Sequence, residues 1–202
     1  SRLGRIHETE NGHRPCRRGD NKTVHIIRDA FKAKIVGVEQ KSNPKGIEER
    51  SITLASHYKV EIGSINYDNF GTGADLGTEI ALATGERPRG INVGDRPDNP
   101  DRFMNKRSEL YWRAKEWLAQ GGQLVKHEGW KQLLTIYYKR NLTGKIQIMP
   151  KDEMLKRGWE SPDCPDAFSI SFEGERSVSS SGSVRSYSPS EIARLTSVYN
   201  VH

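Results

Sequence analysis

The sequence has few of the devices that hold a small secreted or redox protein together. Only two cysteines, Cys16 and Cys164, stand among its 202 residues. They form no CxxC pair, which argues against a zinc ribbon and a thioredoxin-like redox site. The expected state is two free thiols in a reducing compartment. No apolar run approaches the roughly 18 residues needed to cross a bilayer. The opening segment SRLGRIHETENGHRP is polar throughout, unlike a secretory signal, so the expected location is the cytosol, with no membrane partner. No GxxxxGK[ST] stretch occurs, which argues against ATP hydrolysis through a P-loop. Internal repeats are absent as well.

Charge, by contrast, is plentiful. Lys and Arg number 32 against 26 Asp and Glu, a formal net charge of +6. The sequence pI is about 9.3. Such a balance makes nucleic acid or another polyanion a plausible partner class. The hydrophobic fraction, 34%, is enough for one core of ordinary domain size.

Residues 1–21 read as a polar loop. KTVHIIRD (22–29) and AKIVGVEQ (33–40) are β-branched and close enough for a hairpin. A helix is expected over 46–58 and a strand over 58–68, ending in Asp68. ADLGTEIALATG (74–85) reads as a short helix closed by glycine, and GINVGD (90–95) as a strand. Leu110, Ala114, Trp117 and Leu118 recur at helical spacing within 105–122. Further expectations are a helix at 127–139, a strand at 144–150, a helical turn at KDEMLKRG and a helix opening at Pro162 or Asp163. After Gly174 the composition turns to serine and glycine, so 175–202 reads as a flexible tail and 1–174 as one domain. The order of elements is that of an α/β or α+β layered domain.

Three stretches offer chemistry. In INYDNFGTG, Asp68 stands where a strand gives way to a glycine loop, the place where open α/β sheets collect ligands. A metal ligand and an Asx-turn both fit that position. In SPDCPDAF, Asp163 and Asp166 are three residues apart and share a helix face. Asp163 also suits an N-cap or first-turn position. Asp166 lies at the edge of an apolar run and needs a cation or metal beside it. Carboxylates from two distant segments are what a magnesium or manganese site uses. Lys106, Arg107, Lys151, Lys156 and Arg157 are candidate phosphate contacts, though a solvated helix face explains each one singly. Glu109 and Arg113 have the spacing of an i,i+4 pair. His25, His57 and His127 lack ligand spacing and read as structural, and Cys164 has no neighbouring base to make it a nucleophile.

Four stretches together resemble the C-terminal nuclease domain of the large terminase subunit of tailed bacteriophages. They are GDNKTVHIIRD (19–29), INYDNFGTGADL (65–76), FMNKRSELYWRAKEWL (103–118) and KDEMLKRGWESPDCPDAF (151–168). The last two carry the most specific patterns, N-x-R-x-E-x-Y-W and K-R-G-x-x-S-P-D-x-x-D-A. The resemblance implies an RNase H-like fold, a central mixed β-sheet flanked by helices. It implies an endonuclease that uses two divalent ions, Mg2+ or Mn2+, to cut concatemeric viral double-stranded DNA with little sequence specificity. It also implies an upstream ATPase domain, a portal protein and a small terminase subunit as partners, acting at the procapsid in the host cytoplasm.

Of the three acidic positions in that family, the second matches Asp68 and the third Asp166, with Asp163 as an accessory ligand. The first has no evident match. On one alignment SRLG (1–4) follows it directly, an insertion precedes GDNKT (19–23), and the aspartate and its strand lie before Ser1. On the other, RPCRRGDNKT spans the motif and Arg14 stands in the aspartate's place. Asp20 is the nearest substitute. Two other readings remain open: a different RNase H-like enzyme such as a resolvase or transposase core, and a DNA-binding or docking module with an incomplete catalytic site.

Overall fold

The structure, a computed structural model, describes residues 22–40, 43–69 and 75–174. Asp20, Cys16, the expected N-terminal loop and the serine-rich tail lie outside the described residues.

Strands β1 (Lys22–Arg28) and β2 (Lys32–Gln40) form the expected antiparallel hairpin, with a register shift between His25 and Ile26. The Asp29 carboxylate organises the turn by accepting from Phe31 N and Lys32 N, each at 2.7 Å. Helix α1 (Pro44–Tyr58) opens on Asn43, whose side chain accepts from Gly46 N, with proline in the first turn. It closes on Lys59, which takes a left-handed conformation at φ 55°. The strand expected over 58–68 is therefore much shorter. The helix runs on to Tyr58, one 3-10 turn occupies Ile62–Ser64, and β3 is only Asn66–Asp68.

Helix α2 (Leu76–Thr84) leads from β3 to β4 (Arg89–Ile91), which lies parallel to β3. Next come α3 (Lys106–Ala119) and the short β5 (Gln123–Leu124), which pairs parallel to β2. The main sheet thus has the order β1-β2-β5 and is mixed. The helix expected at 127–139 is instead a 3-10 segment, Glu128–Thr135, followed by β6 (Tyr138–Arg140). Pairing explains the change: β6 forms an antiparallel ladder with β7 (Ile146–Ile148), which draws residues 138–140 into extended backbone. Helices α4 (Lys151–Lys156) and α5 (Asp163–Ile170) complete the described chain.

The core lies where α3 and α5 pack on the main sheet. It joins Ala33 and Ile35 of β2, Leu110 and Ala114 of α3, Phe168 and Ile170 of α5, and Trp130 and Phe172. The Phe168 ring is fully buried and meets Trp117, Trp130 and Phe172 edge-on, with centroids 5.1–5.8 Å apart. Edge-to-face contacts of this kind add to the apolar burial. A second, smaller cluster, Ile47, Leu76 and Ile80, joins α1 to α2, and Tyr67 of β3 packs against it.

Candidate functional site

Asp68 ends β3, and the chain leaves the strand at a half-buried position. Its Oδ1 is buried and has no hydrogen-bond partner. Burial raises its pKa above the usual carboxylate value; Lys151 opposes the rise and Asp166 adds to it. The Lys151–Asp166 ion pair and the effect of both charges on Asp68 place three segments together: the end of β3, the first turn of α5 and the start of α4.

Asp166 is held from three sides. Its Oδ1 accepts from the Tyr111 hydroxyl at 2.5 Å and from Arg107 Nε and Nη2 at 3.3 and 3.2 Å. Arg107 in turn donates through Nη1 to Met149 O at 2.8 Å, which fixes the guanidinium between α3 and the end of β7. Lys151 Nζ pairs with Oδ2 at 2.7 Å. Tyr111 stays a neutral phenol: burial, and then the charge of Asp166, push its ionisation well above the ordinary tyrosine value. A neutral, buried hydroxyl must donate or go unsatisfied, and Asp166 is the acceptor it has.

Asp163, the other aspartate of the same helix, serves different partners. Its Oδ1 accepts from Ser161 Oγ at 2.6 Å and its Oδ2 from Lys22 N at 3.1 Å. The N-cap of α5 is Pro162, without a side-chain cap bond, so Asp163 stands in the first turn and is not the cap. It ties the start of β1 to α5 and shares none of the partners that hold Asp166.

The basic residues divide into three groups. Lys106 and Arg107, two of the expected phosphate contacts, have side chains drawn inward onto acidic partners. Lys106 lies 2.8 Å from Asp98, 3.2 Å from Glu173 and 3.8 Å from Glu109, while Arg107 is committed to Asp166 and Met149 O. Lys151 is half-exposed and faces the candidate site. Lys156 and Arg157 remain on the surface, each with an i,i+4 acidic neighbour, Asp152 and Glu153. Surface pairs of that kind are weak and leave both cations free to meet phosphates.

The spacing of Glu109 and Arg113 understates their role. Glu109 is fully buried, pairs with Arg113 at 3.2 Å, and accepts from Asp98 N and Asn99 N at 2.7 and 3.3 Å. It binds the 95–105 connection onto α3. Sequence reasoning also passed over Tyr111 and Asn66. Tyr111 lies one helical turn beyond Arg107, and that spacing was the available signal. Of the histidines, His25 Nε2 meets Ser51 Oγ at 3.2 Å and His127 Nδ1 accepts from Gly129 N at 3.0 Å, both structural uses. Cys164 is a buried free thiol.

Two neighbouring carboxylates, one with a buried oxygen that lacks a hydrogen-bond partner and one whose buried oxygen faces the Lys151 ammonium, suit a hard divalent cation, which takes oxygen ligands and completes its shell with water. Among the described residues no group of three or more His, Cys, Asp or Glu side chains converges for a metal. Nor is any helix among them long and apolar enough to cross a membrane.

No family model matches the sequence, and no curated protein matches it. Solved structures do. A mutant nuclease domain of the large terminase subunit gp2 of bacterial virus Sf6, with manganese, superposes with a TM-score of 0.66 at 18% identity, covering 76% of this chain and 84% of that one. A mutant form of the same domain with calcium gives 0.63 at 20% identity, over 78% and 84%. The nuclease domain without a stated metal gives 0.59 at 18% identity over the same shares. At this level of identity the likeness establishes architecture: the chain has the RNase H-like fold of terminase nuclease domains.

Proposed function

We propose that this chain is the nuclease domain of a phage DNA-packaging terminase large subunit, a divalent-metal-dependent endodeoxyribonuclease that cuts concatemeric double-stranded DNA. The observation that carries the reading is the pairing of Asp68 with Asp166. Asp68 presents a buried oxygen without a hydrogen-bond partner, and the buried Oδ2 of Asp166 meets the half-exposed Lys151 ammonium at 2.7 Å.

Asp68 and Asp166 would hold Mg2+ or Mn2+. When bound, two such ions polarise a water for attack on phosphorus and stabilise the leaving oxygen. The chain's own residues prepare that site. Arg107 and Tyr111 occupy Oδ1 of Asp166, which orients the carboxylate and leaves Oδ2 to Lys151. Lys151 lowers the electrostatic cost of two adjacent carboxylates. Lys156 and Arg157, exposed beside α4, are suited to seat the DNA backbone, and backbone contacts carry little sequence information. Asp163 serves the site indirectly by fixing the start of α5. Asp20 remains a candidate third carboxylate. The working partners would be an ATPase domain, a portal and a small terminase subunit, at the procapsid in the host cytoplasm.

Cleavage of supercoiled plasmid in Mn2+ tests the reading. Asp68→Ala and Asp166→Ala are each expected to abolish it. Full activity in both variants overturns the assignment. Salt-sensitive DNA binding by the unaltered protein, without cleavage in any divalent ion, identifies a binding module instead.

A further inference from the structure

β3 is three residues long and, among the described residues, its backbone pairs only with β4, outside the main β1-β2-β5 sheet. No backbone ladder therefore sets its height against the core or against α5. Strand alternation sorts its side chains. Tyr67 packs on the cluster between α1 and α2. Asn66 and Asp68 share the opposite face, toward α5.

Asn66 Nδ2 donates to two carbonyls at the end of α5, Ile170 O and Glu173 O, each at 3.2 Å. The spacings then match. Two strand residues advance about 6.6 Å. Four helical residues, Asp166 to Ile170, advance about 6 Å. Holding Asn66 at Ile170 brings Asp68 level with Asp166, provided strand and helix run in opposite senses. They do: β4, parallel to β3, begins at Arg89 beside Glu173 and Gly174 and leads on to Val93, whose carbonyl accepts from the amide of Arg107, the residue that grips Asp166.

The far end of α5 has other restraints. Arg28 donates to Ser171 Oγ and Ser171 O at 3.1 and 3.0 Å, and Arg113 donates to Phe172 O at 3.3 Å. These fasten α5 to β1 and to α3. The Asn66 contacts fasten β3 to α5.

We propose that Asn66 is a positioning residue for the candidate metal centre: its carboxamide sets the register of β3 on α5 and thereby the approach of Asp68 to Asp166. The role rests on the metal-centre reading given above. A simple helix-end cap would affect stability alone. A register device affects metal affinity.

The test is a Mn2+ titration of the protein, with free ion counted by electron paramagnetic resonance, beside a thermal melt of each variant. Asn66→Ala is expected to weaken Mn2+ binding roughly 10-fold, the lower end for partners that orient metal ligands, with the melt still cooperative. Asp68→Ala and Asp166→Ala are the controls and are expected to lose the site. Wild-type affinity in Asn66→Ala, when the aspartate variants have lost theirs, overturns the positioning role and leaves the metal centre standing. Wild-type affinity in both aspartate variants overturns the metal centre itself, and the role with it. If Asn66→Ala melts without cooperativity, Asn66→Ser, which keeps a shorter donor, enters the same titration. Weakened binding there supports the role, and unchanged binding overturns it.

Discussion

Tyr111 and Asp166 are joined by a 2.5 Å hydrogen bond from the phenol to Oδ1, the oxygen that also accepts from Arg107. Hydrogen bonds to a charged group contribute about 1.5–3 kcal/mol. Tyr111→Phe removes this donor and leaves the Arg107 contacts in place, so the loss is expected at the lower end, about 1.5 kcal/mol. Urea denaturation at neutral pH reads it as a lower midpoint with an unchanged slope. An unchanged midpoint shows that Arg107 and Lys151 suffice to hold Asp166.

Asp68 predicts a conflict between stability and function. Its pKa is raised in the folded state, chiefly by burial. The folded chain therefore binds more protons than the unfolded chain between the ordinary value of 3.8 and the raised value. In that window stability falls as pH rises, and above it the full cost of the buried charge persists. Asp68→Asn is expected to flatten this part of the stability–pH curve and to melt higher than the parent at neutral pH without divalent ions, while losing Mn2+-dependent cleavage. A lower melting temperature for Asp68→Asn at neutral pH contradicts the assignment of burial as the dominant cause.

Much of the architecture was legible because local rules were obeyed. Asn105 caps α3 at its expected start, Asn43 caps α1 a little ahead of the expected 46, and Gly85 closes α2. The hairpin of β1 and β2 follows its β-branched runs. Errors arose where pairing partners decided. Residues 138–140 extend because β7 is there to receive them, and nothing within 127–139 announces it. At the candidate site, Asp68 and Asp166 were readable from position and resemblance. The burial of Lys106 and Arg107 was not. A basic helix start looks solvated until Asp98, Glu173 and Asp166 arrive from other segments. Asn66 was invisible for a similar reason, since its acceptors lie more than 100 residues away.

Gly77 predicts a steric effect beside the site. A Cβ at Gly77 would lie 2.1 Å from the Tyr67 hydroxyl and 2.8 Å from Cζ of the same ring. Alanine gains about 1 kcal/mol over glycine in a helix interior. Overpacking costs typically 1–3 kcal/mol, and the ring belongs to the three-residue strand that carries Asp68. The clash is expected to prevail, so Gly77→Ala should lower the melting temperature. Adding Tyr67→Leu, which removes the ring, should recover part of the loss. A stabilised Gly77→Ala shows that helix propensity outweighs the contact.

Glu109 predicts the largest loss of stability. Its carboxylate is fully buried and faces only donors: Asp98 N, Asn99 N, Arg113 and, at 3.8 Å, Lys106. Glu109→Gln keeps the shape but turns one oxygen into an amide nitrogen. In either orientation that nitrogen confronts an N–H donor. Breaking a buried pair by altering one partner costs about 3–5 kcal/mol, a large share of the 5–15 kcal/mol typical of a folded domain. The effect should reach Asp166, because the connection that Glu109 binds leads directly into Lys106 and Arg107, whose amides donate to Asp95 O and Val93 O at 2.8 Å. Glu109→Gln is therefore expected to lower the urea midpoint more than Tyr111→Phe does and to weaken Mn2+ binding although it touches neither aspartate. A midpoint within about 0.5 kcal/mol of the parent, the range of ordinary surface substitutions, shows that Asp98 and Glu173 are sufficient partners for the two cations.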